Sequence, residues 1–288
     1  MQDPADQDNQ SIIENIIDQA GKLDDVDINL ANTALAMAAV DSSVTSIERY
    51  QHHIQTLIDE VTLRHILLIK EGAEDNAETQ LNALKDIIAD KHEYKGDTET
   101  YDDLQNVNLI RVIERRKGMP IAISLLYVHI GLAQGWSLAV LNFPAHAVCK
   151  IEKNGQVILF DPFNNCDILQ ASDMRQLLKS IIGDEAELST EYYNPSSKRD
   201  VLIRIQNNIK LRLIEGEDYE GAIKVIKVMR RIDPDEYRLL FDVGVLYART
   251  NQALSAIDAL EEYIDRSPNI EDQHDALILL RQIHESLN

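Results

Sequence analysis

The residue types that could do chemistry lie in one stretch, Arg115 to Phe163, which holds His146, Asp161 and, ahead of both, Gly118-Met119-Pro120-Ile121 at the start of a long apolar run. A histidine held by a carboxylate is the base and orienter of a nucleophilic triad: the carboxylate fixes the imidazole tautomer and stabilises the imidazolium. What is missing is the attacking group. In thiol enzymes of this build the cysteine stands at the N-terminus of a buried helix, where the helix dipole lowers its pKa. Here that place reads Met119, Pro120 or Ile121, none of which can attack.

Strand register brings His146 and Asp161 together. Asn154-Gly155 is the strongest short signal for a two-residue hairpin, because both residues tolerate the positive φ of a type I′ turn. With these two at the tip, Lys153 pairs with Gln156, Ile151 with Ile158, Cys149 with Phe160 and Val148 with Asp161. Side chains alternate across a strand, so His146, Val148 and Lys150 share a face with Val157, Leu159 and Asp161. The strands expected are 146–152 and 156–161. Ahead of them, 120–133 is apolar nearly all round and reads as a helix buried on most sides. Gly118 gives it a flexible approach, Pro120 suits the first helical position, and the hairpin pattern requires cover on both faces.

Other reactive side chains have a structural reading beside the chemical one. Ser124 is the only hydroxyl near the thiol position, one turn after Pro120, and back-bonding to the Pro120 carbonyl competes with attack. Cys166, just past the second strand, could swing toward the site but has no helix dipole and no base in reach. Cys149 points to the face opposite His146 and packs beside Phe160 as a small hydrophobe. His129 reads as a buried histidine with a local partner. His52-His53 has no Cys, Asp or Glu at ligand spacing, so neither a metal nor a cofactor is expected. Arg111, Arg115, Arg116 and Lys117 form the one concentrated basic feature, directly before the helix start. Either they pair with acidic N-terminal helices, or Arg115 and Arg116 make an anion or carboxylate site at the cleft mouth.

Several of these strings together match a known pattern. Glu114-Arg115-Arg116-Lys117-Gly118-Met119-Pro120-Ile121, Leu125-Leu126-Tyr127, Asn142-Phe143-Pro144-Ala145-His146 and Asp161-Pro162-Phe163-Asn164 resemble the SirB-type family of bacterial transglutaminase-like proteins. Leu30 to Leu57 looks like that family's N-terminal helices, Tyr101 to Leu109 like its asparagine-bearing loop and Arg199 to Leu287 like its repeat tail. The resemblance covers all but about the first 25 residues. It implies an α+β papain/transglutaminase-like core followed by an all-α tetratricopeptide tail. Asn106 corresponds to the loop asparagine and is either a hydrogen-bonding group of that region or a turn residue. The sequence departs from the family at Ala122, where a serine is frequent, and at Cys166, where a glycine is usual.

The tail carries its own period. Ala222 and Ala256 are 34 residues apart, as are Pro234 and Pro268, which is the tetratricopeptide spacing. Leu240, Gly244, Tyr247 and Ala256 fall on helix-packing positions of the second repeat, while Gln206 and Lys210 occupy two such positions in the first. Two repeats and a final helix, 272–287, have little interior, so the tail is expected to dock on the core. The domains expected are an acidic extension over 1–27, a core over 28–195 and the repeats over 196–288. Within the first, Met1 to Gln10 reads as disordered. Helices are expected over 30–40, 46–69 and 75–90, with a break at Asp41-Ser42-Ser43 and a loop at Lys95-Gly96-Asp97.

The formal charge of -21 on 288 residues argues against nucleic acid and anionic membrane as partners. Two cysteines, no apolar run near 20 residues and no leader pattern point to the cytoplasm. Three readings stay open. The chain is a non-catalytic transglutaminase-like module that binds a protein or peptide through its cleft and repeat groove; or a hydrolase of amides or esters using His146 and Asp161 with Ser124 or Cys166; or an assembly scaffold.

Overall fold

The computed structural model describes residues 4–40, 46–144 and 146–287. The chain falls into two compact units, one of residues 1–16 and 24–202, the other of residues 17–23 and 203–288.

Helix α1 runs from Pro4 to Ala20, so most of the polar stretch expected to be disordered is helical, with Pro4 at the first position where its fixed φ suits a helix. α2 (Leu30–Ala39) and α4 (Ala77–Lys85) start on Asn29 and Asn76, whose side chains accept from Asn32 N and Thr79 N. Each cap satisfies one of the amides a helix start leaves unpaired. Between them α3 (Glu48–Lys70) lays Tyr50, Ile54, Leu57 and Val61 inward. The expected break at Asp41-Ser43 lies outside the described residues. α4 opens into a π-helical turn over Asp86–Lys91, where His92 N reaches the Ile87 carbonyl. The chain then enters β1 (Lys95–Gly96), which sequence reading had as loop; it pairs in parallel with β2 (Lys117–Gly118), the strand that follows α5 (Leu109–Arg115).

Helix α6 (Pro120–Ala133) has the expected bounds and is buried along almost its whole length. Ile123, Leu125, Leu126, Tyr127 and Ile130 are all 0 % exposed, and each such side chain contributes about 1.5–3 kcal/mol by leaving water. The helix packs against α2, α3, α5 and β3 (Ser137–Val140). β3 leads the four-stranded antiparallel sheet β3-β4-β5-β6, with β4 at Cys149–Lys153, β5 at Gln156–Asp161 and β6 at Asp167–Ile168. The hairpin register is the expected one: Lys153 opposite Gln156, Ile151 opposite Ile158, Cys149 opposite Phe160. Asn154 and Gly155 both take positive φ, 51° and 80°. The first strand is shorter than expected, since β4 starts at Cys149 and His146 precedes it. Both faces are covered: Phe160 meets Tyr127 of α6, and Val148 and Leu159 pack with Met174 and Leu178 of α7 (Ala171–Ile182).

The second unit is helical: α8 (Lys198–Glu215) from Ile203 onward, α9 (Tyr219–Ile232), α10 (Arg238–Arg249), α11 (Ala253–Arg266) and α12 (Ile270–Leu287). Its interior has two clusters, one around Ala222, Ile226, Met229 and Val243, the other around Leu240, Ala256, Leu260 and Ala276. Gly244 packs where a Cβ would fall 2.8 Å from Leu260, so the small residue sets the α10–α11 spacing. In the first repeat the odd residue Lys210 is 8 % exposed and pairs with Asp242 at 2.5 Å. Residues 17–23 join this unit through Gly21, where a Cβ would stand 1.9 Å from the Arg231 carbonyl oxygen, and through an Asp18–Arg231 ion pair at 2.8 Å.

Candidate functional site

The end of β5 fixes one half of the site. Asp161 caps the 3₁₀ turn Pro162–Asn164, accepting from Phe163 N at 2.9 Å and from Asn164 Nδ2 at 2.8 Å. Its remaining capacity goes to His146, whose Nε2 lies 2.7 Å from Asp161 Oδ2. The pair is well enclosed, with side chains 11 % and 4 % exposed. Burial works to raise the Asp161 pKa, but the bonds from His146, Asn164 and Phe163 outweigh it and hold the carboxyl below its usual range. The carboxylate therefore stays charged and fixes the imidazole.

The other half is the start of α6. Met119 N donates to the Asn106 carbonyl at 2.8 Å, and the residues there, Met119, Pro120 and Ile121, are buried and carry no nucleophile. Ser124, expected to back-bond to Pro120, instead donates to the Ala147 carbonyl at 3.2 Å and is 0 % exposed. That bond ties α6 to the segment carrying His146, so the hydroxyl holds the two halves of the site together. Cys166 does not swing toward the pair. Its amide bonds to the Asp161 carbonyl at 2.9 Å, its thiol is buried facing Tyr127, and burial pushes its pKa up to about 12. Cys149 is buried beside Phe160 as expected.

Around the pair the rings form a herringbone. Phe163 meets His146 edge-on at 6.2 Å and Tyr101 edge-on at 6.0 Å. Gly96 lies directly beneath Phe163, where a Cβ would come within 2.5 Å of the ring. That glycine is needed for the aromatic wall to form.

Each member of the basic cluster has a partner within the same unit. Arg115 reaches Asp97 at 2.7 Å and Asn106 Oδ1 at 2.9 Å, while Asn106, fully buried, donates to the Thr100 carbonyl at 2.5 Å. Arg116, with a positive φ of 59°, turns toward α3 and bonds His53 and the Tyr94 hydroxyl. Arg111 and Lys117 meet Glu114 and Glu99. Only Arg111 thus meets a near neighbour in sequence; Arg115 and Lys117 pair with the loop after β1, and Arg116 reaches α3, one of the N-terminal helices that sequence reading offered. Asp97 is the residue that reading missed. It is 1 % exposed and accepts from Glu99 N, Thr100 N and Thr100 Oγ1; these bonds and Arg115 outweigh burial and lower its pKa to about 2. Its signal was an Asp three residues before a Thr after Lys95-Gly96, the pattern of a side chain closing its own turn.

Among the described residues no group of three His, Cys, Asp or Glu could hold a metal ion, and no helix is long and apolar enough to cross a membrane.

Similarity to known proteins agrees with this geometry. Residues 48–207 match the transglutaminase-like superfamily and residues 209–284 the tetratricopeptide repeat, an architecture that gives the chain a capacity for protein–protein interaction. A UPF0162 protein of Xylella fastidiosa is 23 % identical over 257 residues, 86 % of this chain and 87 % of its own length. Protein SirB1 of Salmonella typhimurium is 24 % identical over 161 residues, 56 % of this chain and 60 % of its own. The crystal structure of menin is a remote match, 12 % identical with a TM-score of 0.33 over 93 % of this chain and 74 % of menin. With a match over residues 48–207, more than half its length, the chain belongs to the transglutaminase-like superfamily, in a SirB1-like arrangement with C-terminal tetratricopeptide repeats.

Proposed function

We propose that this protein is a non-catalytic transglutaminase-like module, working in the cytoplasm, that binds a protein or peptide through its cleft and its repeat groove. The observation that carries this reading is the residue set at the start of α6. Met119, Pro120 and Ile121 supply no nucleophile, and both substitutes are engaged elsewhere, Ser124 with the Ala147 carbonyl and Cys166 with its protonated thiol against Tyr127. On this view the His146–Asp161 pair is a wall of the cleft. A buried charge-assisted hydrogen bond of that kind contributes about 1.5–3 kcal/mol, reason enough to keep it without turnover.

The hydrolase alternative makes a different set of demands. It needs Ser124 or Cys166 to leave its present partner and present an anion to a carbonyl. The deciding experiment measures melting temperature and hydrolysis of generic amide and ester substrates for His146→Ala, Ser124→Ala and Cys166→Ser. The binding-module reading expects His146→Ala to lower the melting temperature, with no turnover in any variant or in the parent. Turnover lost with Ser124 or Cys166 at unchanged stability would overturn it.

A further inference from the structure

The N-terminal turns of α3 carry three hydrogen-bond acceptors, on exposed Glu48 and Gln55 and half-buried Gln51, that no described residue occupies. Gln51 Nε2 donates to Asn32 Oδ1 at 3.0 Å and Gln55 Nε2 to Asp59 Oδ1 at 2.8 Å, so among the described residues each carboxamide keeps its oxygen as an acceptor. Glu48 has no cationic partner among the described residues. Positions 48, 51 and 55 repeat on one helix face, and that face borders a groove of about 480 Å³ between α2, α3 and α6. His129 of α6 also lines it, partly buried and without a hydrogen-bond partner among the described residues, where sequence reading expected a local one. Burial and the Lys198 charge lower its pKa to about 4, so at neutral pH it offers a lone pair as a fourth acceptor. The apolar part of the lining, Ala31, Ile54 and Ile58, is aliphatic. His129 is nine residues along α6 from Pro120, about 14 Å at 1.5 Å per residue, so the groove is a separate feature from the start of that helix.

We propose that this groove binds a primary alkylammonium group, its cationic head on the Glu48 carboxylate and the Gln51 carbonyl oxygen and its aliphatic stem over Ile54 and Ile58. The chemistry is complementary in each part. Glu48 supplies the formal charge, a charge-assisted bond to it is shorter and stronger than a neutral one, and the carboxamide oxygens replace water around the head. Gln55 and His129 then accept from a further N–H or O–H on the ligand. The same group can come from a free small amine or from a lysine side chain of a partner protein.

Titration of the whole 288-residue chain with butylammonium, with N-acetyl-lysine methylamide and with the neutral, slightly longer alcohol pentanol, at about 0.15 M salt to screen non-specific attraction, tests the assignment. The expected result is saturable one-to-one binding of the two ammonium compounds, with NMR shift changes confined to the groove, and none for pentanol. Glu48→Gln should weaken binding at least about tenfold and Gln55→Met severalfold, while Glu185→Gln on a distant loop leaves it unchanged. If the lysine derivative binds about tenfold tighter than butylammonium, the source is a protein side chain; if not, a free amine. Equal binding by pentanol, undiminished binding by Glu48→Gln, or only unsaturable association that salt abolishes would overturn the proposal.

Discussion

Asp97 and Arg115, 18 residues apart in the chain, meet at 2.7 Å with the carboxylate 1 % exposed. The guanidinium does two jobs from one place: it neutralises Asp97 and, through Asn106, holds the loop whose carbonyl receives the Met119 amide at the start of α6. The charge that sequence reading offered as one alternative for a cleft-mouth anion site is thereby joined to the start of α6.

Removing Arg115 should therefore cost more than a surface ion pair would. Arg115→Met leaves the Asp97 charge enclosed without its counter-ion, a loss of about 3 kcal/mol. Arg115→Lys should recover only part of it, since an ammonium cannot fork to both Asp97 and Asn106. Urea unfolding followed by Trp136, the only tryptophan of the chain and a residue of the core unit, measures both. A loss below about 0.5 kcal/mol for Arg115→Met would place the pair among surface contacts.

Legibility in the sequence followed locality. The hairpin register could be read because Asn154-Gly155 fixes one pairing and alternation propagates it. The bounds of α6 could be read because Pro120 starts the helix and the apolar run stops at Ala133. Asp97–Arg115 could not, because no periodic pattern links a turn residue to a helix end 18 positions away. The Ser124 bond escaped for the same reason: back-bonding within the helix was the local option, and the tertiary acceptor at Ala147 won. The parallel pairing of β1 and β2 joins two-residue strands, too short to show any alternation.

Acid should weaken the core unit before its carboxylates titrate. The pKa of His53 is lowered to about 4, first by burial and then by the Arg116 charge, and that of His129 to about 4 by burial. Both lie below the unfolded value of about 6.5. Between those limits the unfolded chain binds more protons, so stability is full above pH 6.5 and falls as pH drops toward 4. The slope is at most about 1.4 kcal/mol per pH unit for each histidine, less for solvent screening of partly exposed rings. His53→Phe combined with His129→Phe should flatten the profile in that window, as read by melting temperature from pH 7 to 4.5. An unchanged slope in the double variant would remove these histidines as the cause.

Gly21→Ala should disturb the repeat unit. The added methyl would meet the Arg231 carbonyl oxygen at 1.9 Å, a backbone atom that cannot rotate away, so residues 17–23 must shift and the Asp18–Arg231 pair with them. Overpacking of this kind costs about 1–3 kcal/mol. Amide exchange should accelerate over 17–23 and around 229–233 while that of α6 stays as in the parent. Exchange unchanged in both segments would mean that the backbone absorbs the methyl without loss.

The thiols should be silent until the core opens. Cys149 and Cys166 are both buried and neither is in a disulfide among the described residues, and with its pKa near 12 Cys166 at pH 7.5 carries about three orders of magnitude less thiolate than an exposed cysteine with a pKa near 8.5. Native protein treated with iodoacetamide is expected to take up no label at either position over hours, and the unfolded chain to take up two equivalents within minutes. The labelling rate should rise with urea in step with Trp136 unfolding, because access needs the core around Tyr127 and Phe160 to open. Rapid modification of Cys166 in the native state, at a rate independent of urea, would instead reveal an activated thiol beside Asp161. It would return the hydrolase reading to first place.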